Sequence, residues 1–377
     1  MTGLVTAGLV GTIAWSGAPA SAQWQDFRGL DGESFTIVDS PASDPISLRQ
    51  SDYRRLMAIP STDTGYRPPM EETPDELACP ASRCKDVVIP VPETVRISNP
   101  TVRIYYPTGY RKPANRTKRY PVVYLYPGAR SPYTRWSTIL DLRGITRRIP
   151  AIFVMPEGGV GKDAGMFSDW VDGTWQYETY HVDYLAPWIA AHTRSLPGAT
   201  GGVGASAGGL GALNYAARHP GFLQGVLSIS GVADTAILTS NALPEQITPL
   251  IGISPPDLTR VWGNRVLDAA NWDAHNPAKN AAALKDVALF IACGTGYASN
   301  ETPTGDPIHT PFQEMLLWTS HRTFLQALVQ AGVSYEARIR QGGTHYWNYF
   351  AAQLRWGLPK LVNALYAKAG ATPPYPF

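Results

Sequence analysis

The sequence predicts an α/β fold: a mostly parallel central sheet, helices on both faces, and a small insertion over the site. Three observations carry that expectation. Short, nearly all-apolar runs recur at 121–126, 151–155, 202–205, 226–230, 287–292 and 335–339. Continuous apolar runs of this length mark strands buried on both faces. Segments with apolar residues at helical spacing separate several of them, at 177–194, 207–217, 312–331 and 347–366, and strands alternating with helices favour a parallel sheet. Finally, Gly204-Ala205-Ser206-Ala207-Gly208 joins a strand pattern to a helical pattern, with the small residues that a tight strand-to-helix turn requires.

The elements before the sheet follow from composition. The chain has 377 residues, 44% hydrophobic and 16% charged, with a net charge of +2. That is ample apolar material for a large core, and it lacks the clustered basic footprint that nucleic acid requires. One short cluster, Arg111, Lys112, Arg116, Lys118 and Arg119, is interrupted by Pro113 and closed by Tyr120, and it reads as a solvated loop. Residues 1–22 read as an export signal. An apolar stretch from Leu4 to Trp15 is followed by Ala20-Ser21-Ala22 as cleavage-site residues, although no Lys or Arg precedes it. The expected location is therefore secreted or in the cell envelope. No later run reaches the roughly 18 apolar residues of a membrane span.

Residues 23–85, rich in Ser, Asp, Pro and Gly, read as an irregular N-terminal extension, and 86–377 as the catalytic domain. Val87–Val91 and Val102–Tyr106 are expected to pair antiparallel at a sheet edge. Residues from about 235 to 280 show no clear strand and form the expected insertion. In an exported chain Cys79 and Cys84 can close a small disulfide loop, while Cys293 reads as a small buried hydrophobe. No Cys/His group has zinc-ligand spacing.

The pentapeptide around Ser206 fits G-x-S-x-G, in which the serine sits on a sharp turn as a nucleophile. Such a serine needs a base, an acid to orient the base, and donors for the oxyanion. On this kind of elbow the acid and the histidine follow the serine in chain order. Of the histidines after Ser206, His345 is the best base. It lies in a glycine loop, Gly342-Gly343-Thr344-His345, directly after a strand, at the carboxyl end where such sheets build their sites. His219 is expected to cap a helix, and His309 and His321 to lie on a loop and a solvated helix face. The turn after the strand ending at Cys293 carries no carboxylate. Glu301, Asp306 and Glu314 are the candidates, and position alone leaves Asp306 and Glu314 open. The oxyanion donors are expected to be the N–H groups of Ala207 and of Ala129, which follows Gly128. Arg130 beside them can face an anionic or hydroxylated substrate. Trp170, Trp262, Trp272 and Trp347 are the candidate lining of an acyl or sugar groove.

Several segments carry a family resemblance in order: Val123–Arg130, Phe167-Ser168-Asp169-Trp170, Tyr177-Glu178-Thr179-Tyr180, Val261-Trp262-Gly263, Ala292-Cys293-Gly294 and His345–Leu354. They resemble the esterase branch of the α/β-hydrolases that includes the esterase D type. Within that branch the chain is most similar to the secreted mycolyltransferases of the antigen 85 type, over roughly residues 86–368. The resemblance implies an α/β-hydrolase fold and a Ser–His–Glu triad with its glutamate on a helix, which ranks Glu314 above Asp306. It further implies a secreted serine acyltransferase that works through an acyl-enzyme, moving a long acyl chain between sugar hydroxyls. The alternatives are a carboxylesterase acting on small or lipid esters and a non-catalytic cell-wall binding protein on the same fold. Expected partners are an acyl ester or glycolipid and a sugar or water acceptor. No metal or cofactor is required, no nucleic acid is expected, and the chain is expected to be a monomer. The sequence departs from the family at Pro127, Ala129 and Ala207, where Asp, Leu and Met are common.

Overall fold

In the computed structural model the described residues are 24–28, 73–160, 164–239, 255–296, 309–340 and 343–375. The expected export signal, most of the extension, and Glu301 and Asp306 lie outside them. Among the described residues the sheet has nine strands: β1 (Trp24–Arg28), β2 (Cys84–Val88), β3 (Thr101–Tyr105), β4 (Tyr120–Tyr126), β5 (Ile152–Met155), β6 (Ser195–Ala205), β7 (Gly225–Ile229), β8 (Ala288–Gly294) and β9 (Tyr335–Arg340). Their order is β1-β9-β8-β7-β6-β4-β5-β3-β2. The six strands from β9 to β5 in that order are mutually parallel. β1, β3 and β2 add antiparallel edges. This is the α/β-hydrolase arrangement with one further strand beyond β9.

Alternation along the strands divides the core. Val122, Tyr124 and Tyr126 face one layer with Val226, Ile291 and the helices Ala207–Arg218 and His309–Gln330. Val123, Leu125, Leu227 and Ile229 face the other, with Trp136 and the C-terminal helix Trp347–Lys368. Helices on both faces explain why the strands read as unbroken apolar runs rather than as alternating ones.

Two findings modify the sequence expectations. The region 23–85 is not uniformly irregular: Trp24–Arg28 pairs with β9, Trp24 opposite Arg340, and Asp75–Ala78 forms a helical turn. The buried Arg103 guanidinium holds that turn, donating to Asp75 at 2.9 Å and to Asp86 at 2.8 Å. Trp24–Arg28 shows no apolar/polar alternation to mark it as a strand, and a single turn is too short to show helical periodicity. The Cys79–Cys84 disulfide is formed, with the Cα atoms 5.0 Å apart, and it staples the turn to β2. Closing so short a loop is worth about 2 kcal/mol. Cys79→Ser should therefore lower the urea midpoint, and an unchanged midpoint would show that Arg103 alone holds this segment.

Burial also predicts a pH dependence. His181 is enclosed in the core, with Nδ1 against the Tyr215 hydroxyl at 2.8 Å and Nε2 against the Glu157 carbonyl at 3.0 Å. Burial pushes its pKa down from 6.5 to about 3, despite the Glu157 carbonyl and the Glu178 charge. The unfolded chain therefore binds the extra proton first, so this contribution is complete above about pH 6.5 and is lost as pH falls toward about 3. Unfolding free energy should decline across that window, and His181→Phe should flatten the decline. A pH-independent stability between those limits would contradict the assignment.

Candidate active site

The carboxyl ends of β4, β6, β7, β8 and β9 converge on one group of residues. Ser206 directly follows β6 and precedes the helix Ala207–Arg218. Its φ of 56° and ψ of −122° lie in a region that L-residues rarely adopt, so the turn is strained. Its backbone N–H donates to the Ile229 carbonyl at 3.0 Å, which ties the elbow to the end of β7.

Both glycines of the pentapeptide are sterically required. A Cβ on Gly204 would lie 1.9 Å from the Gly208 carbonyl oxygen, and one on Gly208 would lie 2.1 Å from that of Tyr126. Neither obstacle is a side chain that can swing away. Gly208→Ala should therefore cost more than about 2 kcal/mol in stability and most of any activity that depends on Ser206. A stable, fully active alanine variant would show that the elbow relaxes freely.

The loop after β4 touches the serine. A Cβ on Gly128 would sit 3.5 Å from Ser206 Cβ. Ala129 and Arg130 come next, Arg130 with φ of 62° and exposed to solvent. Ala207 opens its helix, where a first-turn N–H has no intrahelical acceptor. The two N–H groups expected to face an oxyanion thus flank Ser206 on neighbouring segments.

Glu314 and His345 are brought together from different elements. Glu314 lies on the helix His309–Gln330, which begins earlier than expected, so the residue sits beyond the first turn. It is buried, with 1% exposure. Its Oε2 faces His345 Nδ1 at 3.0 Å. Its Oε1 accepts from Ser230 Oγ at 2.6 Å and from the Gly294 N–H at 2.5 Å. With a carboxylate at Nδ1, that nitrogen carries the proton, and Nε2 keeps its lone pair. The edge of the Phe350 ring packs against the His345 imidazole, centroids 5.1 Å apart.

Sequence reasoning missed Ser230, the residue that directly follows β7, with φ of 46°. The available signal was its place at the carboxyl end of a buried strand. Cys293 is buried as expected, with Sγ 3.5 Å from Glu314 Oε1. Burial and that carboxylate push its thiol well up from the ordinary range, which keeps it protonated and unreactive.

Other expectations need correction. His321 is not on a solvated face: it is fully buried, with Nδ1 against the Leu317 carbonyl at 2.8 Å. Two turns of helix place it on the face that carries Glu314, and burial lowers its pKa. Trp170, Trp262 and Trp272 are 3%, 0% and 2% exposed and do not line an open groove. Trp262 donates to Ser168 Oγ at 3.0 Å and packs edge-on against Trp272. Among the described residues of the insertion, Trp262 and Val261 are joined to Ser168 and Val171 in the loop after β5. Trp347 remains half-buried beside His345, with its ring against Trp136 and Phe350. His219 caps its helix as expected, and its Nε2 also lies 2.6 Å from Glu178.

The family model described as "Putative esterase" matches residues 97–361. The chain belongs to this esterase family. Among curated relatives, the esterase Rv1288 of Mycobacterium tuberculosis is 31% identical over 258 residues, covering 65% of this chain and 52% of that protein. The chain thus spans about half the length of that relative. The diacylglycerol acyltransferase/mycolyltransferase Ag85A of Mycobacterium ulcerans is 29% identical over 58% of this chain and 64% of that one. Among solved structures, MPT51 (FbpC1) of Mycobacterium tuberculosis superposes with a TM-score of 0.58 at 21% identity, covering 76% of this chain and all of that one. At that identity the likeness concerns the fold.

Proposed function

We propose that this esterase-family chain is a serine acyl-transfer enzyme with Ser206 as nucleophile, His345 as general base and Glu314 as the residue that orients it. The observation that carries the reading is the buried Glu314 carboxylate. It is fixed through one oxygen by Ser230 and Gly294 and presents the other to His345 Nδ1.

Ser206 Oγ attacks the carbonyl carbon of an ester while its proton passes to His345 Nε2. The tetrahedral oxyanion accepts from the N–H groups of Ala129 and Ala207. Collapse expels the alcohol, which takes the proton from His345 and leaves an acyl group on Ser206. An acceptor hydroxyl then attacks the acyl carbon, giving its proton to His345, which returns it to Ser206. Every proton moves between named atoms of this chain and the substrates, so the steps call on no cofactor.

The proposed donor is an acyl ester or glycolipid, and the proposed acceptor a sugar hydroxyl. The mycolyltransferase relatives support transfer, and Arg130, exposed beside Ala129, is the proposed contact for an anionic or hydroxylated substrate. Hydrolysis is the second reading, supported by the relative named as an esterase. Secretion and a place in the cell envelope belong to this proposal too, resting on residues 1–22 and on the character of the relatives. A donor glycolipid, incubated with and without a sugar acceptor, separates the readings. Acylated sugar is the expected product. Free acid alone, at a rate indifferent to added sugar, would assign the enzyme to hydrolysis.

A further inference from the structure

At the end of the sheet opposite Ser206, two segments meet. The loop 106–119 runs from the end of β3 to the start of β4, and residues 141–151 lead into β5. Thr108 Oγ1 donates to the Arg147 carbonyl at 2.7 Å, binding one segment to the other. The first carries Arg111, Lys112, Arg116, Lys118 and Arg119; the second carries Arg143, Arg147 and Arg148. All eight are exposed.

No Asp or Glu lies in 106–119 or 142–151. Asp141, at the border, is occupied in capping the turn Leu142–Ile145, accepting from the Gly144 N–H at 2.8 Å. Among the described residues the eight cations have no carboxylate partner. The side-chain bonds they make go to main-chain carbonyls, Arg119 to Ser195 and Arg116 to Pro113. The whole chain carries only +2, so its charge is polarised toward this end.

We infer that this cationic face docks the protein on an anionic phospholipid surface. Charge complementarity carries the choice: clusters of four to eight Lys and Arg at a surface are what phosphate-rich leaflets attract. The patch is a broad face assembled from two adjoining segments. Stacking of nucleic-acid bases is not favoured at Tyr110, whose ring is covered by the Arg194 guanidinium, 3.8 Å from its centroid. The patch lies at the amino ends of β4 and β5 and Ser206 at the carboxyl end of β6, so docking leaves the serine facing away from the surface. The inference is independent of the acyl-transfer reading.

The test is co-sedimentation with phosphatidylcholine vesicles that do or do not contain phosphatidylglycerol. Binding is expected only with phosphatidylglycerol, and it should fade as salt rises from about 0.05 to 0.5 M. Changing Arg111, Lys112, Arg116, Lys118 and Arg119 to Gln should weaken partitioning by about a hundredfold or more. The separate triple variant R143Q/R147Q/R148Q should lose about tenfold or more. Both variants should keep the parent circular dichroism spectrum and fluorophosphonate labelling. Absence of binding at low salt, equal binding by folded variants, or duplex DNA displacing the protein from vesicles at equal phosphate would overturn the proposal.

Discussion

Replacing Ser206 with alanine is expected to lower ester turnover by about 10⁶-fold and to abolish covalent labelling by a fluorophosphonate. Losses of that size follow when a serine that forms the acyl-enzyme is removed, because the two-step route disappears altogether. The fold should survive. The strained φ of 56° belongs to the backbone of the turn, and its anchoring bond runs from the Ser206 N–H to Ile229, which alanine retains. The Ala129 and Ala207 N–H groups would also remain, so a residual rate of about 10³ to 10⁴ over water is expected from them. Turnover and labelling measured on one preparation, with thermal unfolding as control, decide the matter. Full activity in the alanine variant would remove the catalytic reading entirely.

Glu314→Gln is expected to cost about 10⁴-fold in kcat with little change in KM. The carboxylate accepts on both oxygens: from Ser230 and Gly294 on one side and from His345 on the other. An amide cannot reproduce that pattern. If its nitrogen faces Ser230 and Gly294, donors oppose donors in a site with 1% exposure. If it faces His345, the imidazole must accept at Nδ1 and carry its proton on Nε2, where it can no longer take one from Ser206. The opposed donors disfavour the first arrangement, so the second prevails and the base is lost, although the side chain is nearly isosteric. Glu314→Ala differs, because it leaves buried donors unpaired and should also cost about 1–3 kcal/mol in stability. Steady-state kinetics together with denaturant unfolding separate the two effects, and a Gln variant with parental kcat would deny Glu314 its orienting role.

The glycine-flanked serine and the histidine loop were legible because each depends on local chemistry. A strand-to-helix elbow tolerates no side chain at Gly204 or Gly208, whatever surrounds it, and β4, β5 and β8 announce their burial by nearly unbroken apolar runs. The carboxylate that meets His345 was not legible from spacing. Glu314 comes from a helix rather than from the turn after β8, and only the family resemblance ranked it above Asp306. Ser230 offered only its place after a buried strand, because its partner Glu314 lies eighty-four residues away. The tryptophans misled because an indole serves a core as well as a groove. Trp262 found its partner in Ser168, ninety-four residues away.

The basic residues make the same division clear. Arg111 to Arg119 alone read as a solvated loop, since five cations in nine residues, interrupted by Pro113, need no further explanation. The fold sets Arg143, Arg147 and Arg148 beside them. By itself the sequence determined the α/β layering and the serine elbow, because both follow from apolar periodicity and from steric demands within a few residues. Tertiary structure decided which carboxylate meets the histidine, which indoles are buried and which cations share a face. Those are contacts between distant segments, set by how the sheet is ordered and by what its helices cover.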